Sequence, residues 1–189
     1  MADQEEVLAA EVRRKAGHYE ILGETDAKFE FFENGWNSYS RFLDVDKVDL
    51  ILRRKVSGKR VYREVQVKFG KLYPVGPAWE RELFDFTSWR FFKEEEFGDH
   101  LGQQDFFVAY ILARDVGYRG DIFIFPVRAF ADAIRCGIPS KGQRKVYISR
   151  LHGQNERWVL RRASRFTEVT DETCLDVSEY RRNFAALLQ

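Results

Sequence analysis

Residues 47 to 70 read KVDLILRRKVSGKRVYREVQVKFG, and the alternation inside this stretch decides how the rest of the chain is read. Val48 to Arg54 is a run of strand formers, Ser57-Gly58 is a turn signal, and Val61 to Phe69 is a second such run, so an antiparallel hairpin is predicted. On its second strand Glu64, Gln66 and Lys68 alternate with Val65 and Val67. Successive side chains on a strand point to opposite faces, so the three polar groups share one face and the valines share the other. Paired strands lie about 4.8 Å apart, which brings Asp49 on the first strand within reach of Gln66 or Lys68 on the second.

A carboxylate, an amide oxygen and an ammonium at that separation suit phosphoryl chemistry. Mg2+ prefers hard oxygen ligands, typically one or two carboxylates with waters and a substrate phosphate, and Asp49 with the Gln66 amide oxygen could supply the protein's share. Lys68 adds positive charge that orients a nucleophile or offsets charge in the transition state. Glu64 lies on the same strand face as Gln66, so which of the two is the second ligand stays open, and Asp44 and Asp46 are rivals to Asp49.

Outward from the hairpin, Asp3 to about Ala16 favours a helix ended by Gly17, with Val7, Leu8 and Val12 on one stripe and Glu11 falling between Val7 and Leu8 on it. A strand is expected near Phe29 to Phe32, then a turn at Asn34-Gly35. Trp79 to roughly Phe92 reads as a helix and is followed by the acidic patch Glu94, Glu95 and Glu96. Phe106 to Ala113 and Asp121 to Val127 are continuous apolar runs, as expected of strands buried on both faces. Arg128 to Cys136 reads as a short helix, Lys145 to Leu151 with Arg157 to Arg162 as a second hairpin, and Ser178 to Leu188 as a terminal helix with Asp176 at its N-cap. The resulting fold class is α/β, a mixed four- or five-stranded sheet flanked by helices in a single domain over residues 1–189.

The residues Asp49 and Gln66-Val67-Lys68 resemble the active-site pattern of the PD-(D/E)XK nuclease superfamily, in its Gln-x-Lys variant. That resemblance implies a restriction endonuclease-like domain hydrolysing phosphodiester bonds of DNA with Mg2+ (or Mn2+). It further implies that Asp49, Gln66 and the helix carboxylate Glu11 are metal ligands and that Lys68 is the catalytic lysine. The sequence departs from the pattern in that Val48 rather than proline precedes Asp49 and Gln66 replaces an acidic ligand. The second departure removes one negative charge, which keeps a non-catalytic nucleic-acid-binding module on the same fold as the alternative.

A formal net charge of +1 conceals strong segregation. Eight Lys or Arg face the single Glu64 between Arg53 and Lys71, and eight face the single Glu156 between Pro139 and Arg165. Two basic runs point to a polyanionic partner, and in the second Lys141, Arg144, Lys145, Arg150, Arg161, Arg162 and Arg165 interleave with Tyr147 and Trp158 as candidates for gripping a phosphate backbone. Cutting both strands of a duplex with one site per chain would favour a homodimer or higher symmetric assembly.

Several other classes find no support. The cysteines Cys136 and Cys174 form no CxxC, and His18, His100 and His152 match no zinc spacing. Gly70-Lys71 is no phosphate-binding loop, and neither a Gly-x-Ser-x-Gly nor a dinucleotide-binding glycine pattern occurs. No apolar run approaches the ~20 residues needed to span a bilayer, and the first residues lack a secretory pattern, so a cytoplasmic protein away from membranes is expected.

Overall fold

The computed structural model describes residues 2–40, 47–113, 121–154 and 156–189, with side chains from residue 18 onward. The chain forms helix α1 (Ala2–Glu33), then strands β1 (Asn37–Ser40), β2 (Leu50–Val56), β3 (Lys59–Lys71) and β4 (Tyr73–Pro74), a short helix α2 (Ala78–Leu83) and β5 (Phe84–Phe92). It continues through β6 (Phe106–Ala113), β7 (Asp121–Pro126), α3 (Val127–Cys136), β8 (Ile138–Ser140), β9 (Gln143–Leu151), β10 (Trp158–Arg161) and β11 (Cys174–Asp176). Two 3-10 turns follow at Ser178–Tyr180 and Phe184–Leu188.

One sheet has five strands in the order β1-β2-β3-β6-β7. Its β3–β6 pair is parallel and its other pairs are antiparallel, so the sheet is mixed. The β2–β3 hairpin turns at Ser57 and Gly58 with φ of 49° and 83°, the pair of left-handed conformations that matches the twist of the flanking strands. Leu50, Leu52, Val65, Ala109, Ile111, Ile122 and Ile124 bury one face of this sheet against Ala27 and Phe31 of α1. The other face, with Val108, Tyr110, Leu112, Phe123 and Phe125, packs on Phe130 and Ile134 of α3 and on Val146, Ile148, Trp158 and Leu160. Every residue of β6 is buried, which is why it reads as an unbroken apolar run.

A second sheet, ordered β11-β10-β9-β5-β4 with β8 also paired to β9, was not foreseen from the sequence as a unit. Its strand β5, between β9 and β4, replaces most of the expected Trp79–Phe92 helix, of which only Ala78–Leu83 is helical. Aromatic residues here serve both faces: Phe92 is in the core between the sheets while Trp89 and Phe91 point away, and partner strand β9 fixes the extended form. A register shift between Phe84 and Phe86 breaks the alternation that would have marked the strand.

The helix at the start also differs from expectation. Gly17 does not end it, and the strand expected near Phe29–Phe32 is the last turn of the same helix. A glycine inside a helix costs only about 1 kcal/mol against alanine, and burial of Ala27 and Phe31 on the sheet outweighs that. The terminal helix expected over Ser178–Leu188 is broken into two 3-10 turns. Between them Arg181 pairs with Asp121 at 2.6 Å and with Glu156, Arg182 pairs with Glu30 at 2.6 Å, and Arg182 takes a φ of 50°. These ion pairs draw the backbone out of the helical path. Cys136 and Cys174 are free thiols. No helix among the described residues is long and apolar enough to cross a membrane.

Candidate active site

The hairpin places the site because its two strands are of unequal length. Ladder pairing of β2 with β3 begins at Leu50 opposite Val65, while β3 runs on to Lys71. At the point of departure the Asp49 N–H still donates to the Val65 carbonyl at 3.0 Å, and the Asp49 carboxylate accepts the Val67 N–H at 2.6 Å. A side-chain carboxylate thus stands where the next strand carbonyl would have been. Beyond it the edge of β3 opens onto a cavity of about 590 Å3.

The period of two along β3 is observed. Val65, Val67 and Phe69 join the core beneath α1, while Gln66 and Lys68 lie level with Val108 and Tyr110 of β6 on the opposite face. Asp49, Gln66 and Lys68 all line the cavity. Gln66 is only 7% exposed, and its Oε1 is a buried acceptor without a hydrogen-bond partner. A buried carbonyl oxygen left unpartnered costs about 1–3 kcal/mol, so on a residue that shares a cavity with a carboxylate it is a candidate acceptor for a donor or a cation.

The Lys68 ammonium is held by the Glu96 carboxylate at 2.8 Å, over the Phe97 ring. Glu96 is itself anchored: its carboxylate accepts the Lys93 N–H at 3.3 Å and its carbonyl accepts from Lys47 Nζ at 2.7 Å. The acidic patch at residues 94–96 signalled charge in the sequence, but nothing local tied Glu96 to Lys68, which is 28 positions earlier (96 − 68).

Glu20 and Glu24 of α1 also line the cavity, with Tyr19 stacked on Phe69 at 5.4 Å between ring centres. Neither glutamate was singled out in the sequence, because the helix was read as ending at Gly17; once it continues, their spacing of four puts both on one face. The side chain of Glu11 lies outside the described residues, and its backbone position is nine residues before Glu20, about 13 Å along the axis. Asp44 and Asp46 also lie outside the described residues. Glu64 is half-buried one pair further along β3, its N–H donating to the Asp105 carbonyl, and the described residues lining the cavity do not include it.

The expected phosphate-gripping residues are dispersed over the second sheet. Lys141, Arg162 and Arg165 are exposed, with Arg162 also bonded to the Asp171 carbonyl at 2.7 Å. Arg144 pairs with Glu94 at 3.1 Å and Arg150 with Asp85 at 3.3 Å, while Lys145 lies over the rings of Trp89 and Tyr147. Arg161 is a correction. It is 1% exposed, pairs with Glu80 at 3.0 Å, donates to Ser149 Oγ at 2.9 Å and stacks over Phe84, so it is a structural ion inside the fold.

The donors that could hold a divalent cation are the Asp49 carboxylate and the Gln66 Oε1, with Glu20 and Glu24 lining the same cavity. Among the described residues no three His, Cys, Asp or Glu side chains converge closely enough to form a closed metal cage. The set is open and built of hard oxygens, a composition that fits an ion retaining several waters, such as Mg2+, and does not fit zinc.

No protein-family model matches the chain, and no curated protein matches it. Among solved structures, a Holliday junction resolvase, Hjc of Archaeoglobus fulgidus, is similar over 65% of this chain and 79% of that one, at 16% identity and a TM-score of 0.35. The functional reading therefore rests on the geometry of the site itself.

Proposed function

We propose that this chain is a metal-dependent endonuclease hydrolysing phosphodiester bonds of DNA, with residues 1–189 acting as one cytoplasmic domain of the PD-(D/E)XK, restriction endonuclease-like type. The observation that carries this reading is that Asp49, Gln66, whose Oε1 is buried without a partner, and Lys68 line one cavity. Asp49 and Gln66 would hold Mg2+ or Mn2+, with Glu20 or Glu24 completing the acidic wall in the role first expected of Glu11. When bound, such an ion supplies Lewis acidity at a phosphoryl oxygen and lowers the pKa of a water.

The chain's own groups do the rest. The Val67 N–H fixes the Asp49 carboxylate, and Glu96 fixes the Lys68 ammonium, so neither has to be ordered at the moment of reaction. Lys68 then stands ready to orient the attacking water or offset charge on the phosphoryl group. Lys71 and Arg90 at the rim supply cations for flanking phosphates. Breaking both strands of a duplex would call on two copies of the chain.

The test is cleavage of supercoiled plasmid by the parent, Asp49→Asn and Lys68→Met proteins with Mg2+, Mn2+ or EDTA. Asn keeps an acceptor for the Val67 N–H, so folding is preserved while the charge is lost. We expect metal-dependent nicking by the parent and a loss of about a hundredfold or more in each variant. Equal cutting by all three proteins would overturn the assignment.

A second reading, a non-catalytic DNA-binding module, is favoured by the structural bonds that Asp49 and Lys68 already make. It predicts DNA affinity indifferent to metal and no cleavage under any condition.

A further inference from the structure

The outer face of the second sheet is covered at one end and open at the other. Phe84, Leu151 and Val159 are sealed beneath Leu83, Ala163 and Phe166. Further along the same face of β5 and β9, Trp89 and Phe91 are 42% and 40% exposed, and Tyr147 lies directly across from Trp89. Sheet faces that look outward are ordinarily polar, and two large rings left in water forfeit the burial that would stabilise them elsewhere. The rings are also ordered: Trp89 and Phe91 meet edge to face at 5.7 Å, and Lys145 Nζ sits 4.2 Å from the Trp89 ring centre and 4.7 Å from that of Tyr147.

This cluster runs into the candidate active site. Tyr73, itself exposed, pairs with Thr87 and so lies on the same sheet face as Trp89, two residues on, while it also lines the cavity that holds Asp49 and Lys68. Lys71, over the Tyr73 ring at 5.1 Å, lines it too. Aromatic rings interspersed with cations, leading to a phosphate-handling site, match what an unpaired polynucleotide needs: ring faces for bases and ammonium groups for the backbone. A blunt duplex keeps its bases stacked inside and has nothing to offer the rings.

We infer that the exposed Trp89–Phe91 face with Lys145 is a stacking platform for single-stranded DNA, which delivers an unpaired segment to the cavity by way of Tyr73. The inference rests on the nuclease reading for its account of the cavity and deepens it by naming the substrate class, DNA with an unpaired stretch next to the cut.

The test measures binding in EDTA, where cleavage plays no part. Fluorescein-labelled oligothymidylate and a blunt duplex of equal length are titrated with the full chain, followed by anisotropy, alongside the intrinsic tryptophan fluorescence. The parent is expected to prefer the oligothymidylate and to be quenched by it. Trp89→Ala and Phe91→Ala are each expected to lose about tenfold in affinity for the single strand while duplex binding stays within about twofold. Trp89→Phe, which keeps a ring, is expected to retain affinity within about threefold and to lose most of the quench.

Unchanged single-strand affinity in the alanine variants, or an equal loss on both DNAs, overturns the platform. Should the alanine variants fail to fold, the Trp89→Phe titration decides, because a quench as large as the parent's overturns it as well. Failure of the nuclease reading shows differently: a parent that grips single strands through these rings yet cuts no DNA with Mg2+ or Mn2+ keeps the platform and loses the catalytic assignment.

Discussion

Gln66 is the residue at which the proposed chemistry and stability oppose one another. Its Oε1 is buried without a partner, a placement that costs about 1–3 kcal/mol unless a donor or cation arrives. Leu fills nearly the same volume without the polar atom. Gln66→Leu is therefore expected to raise the thermal midpoint in EDTA by a few degrees, and to abolish the further rise that Mn2+ gives the parent, since an ion that binds the folded state stabilises it by mass action. Thermal scans of both proteins with and without Mn2+ check this. A variant less stable than the parent in EDTA would show that the amide has a structural partner and is not waiting for a ligand. The prediction is made for Gln66 rather than Glu64 because Gln66 lines the cavity, while Glu64 is still within the paired part of the hairpin.

Strand β3 must pass close beneath β5 to carry Lys68 to the cavity, and that crossing depends on what lies behind it. Gly70 sits there because an added Cβ would meet Ser88 Oγ at 2.4 Å and Tyr110 Oη at 2.7 Å. Tyr110, on the neighbouring β6, is fully buried, and that burial, only partly offset by the Arg90 charge, pushes its phenol up to about 12. The folded state therefore holds this proton more tightly than the unfolded chain, whose tyrosines titrate near 10. The stability it contributes is complete below about pH 10 and falls as pH rises from there through 12, by roughly 3 kcal/mol in all. Urea unfolding of the parent should weaken across that window more steeply than that of Tyr110→Phe. Parallel curves for the two proteins would place the phenol in a wetter setting than the one between these strands.

The second sheet is held by more than apolar contact, and the Arg161 that fastens helix α2 to it is one a composition count would assign to DNA. Arg161 is enclosed by Glu80, Ser149, Phe84 and Tyr147, so removing it strands a partly buried carboxylate and opens a void. Arg161→Ala is expected to destabilise the protein by about 3–5 kcal/mol. The adjacent Arg162 is exposed, and Arg162→Ala should leave stability within about 0.5 kcal/mol while lowering DNA affinity a few-fold and reducing the salt slope by about one. Paired urea melts and salt titrations of DNA binding separate the two. Equal stability of both variants would mean that the buried ion pair contributes nothing to holding the sheet.

Local pattern alone determined the β2–β3 hairpin, its turn at Ser57-Gly58, the buried strands β6 and β7, helix α3 and the shared face of Gln66 and Lys68. Each of these follows from a periodicity or a turn chemistry contained within about a dozen residues, so no distant partner was needed to read it. What only the tertiary structure decided depends on groups far apart in the chain. The aromatic segment Phe84–Phe92 is a strand because β9 pairs with it, although its own alternation is broken at Phe86. Helix α1 runs past Gly17 because Ala27 and Phe31 find a sheet to cover, and that continuation brings Glu20 and Glu24 to the cavity. Glu96 meets Lys68, and Arg161 leaves the surface for Glu80, through contacts between residues that are distant in sequence. A single side chain's charge is written in the sequence; whether it faces water, a counter-ion or a substrate is set by which surfaces the fold closes over it.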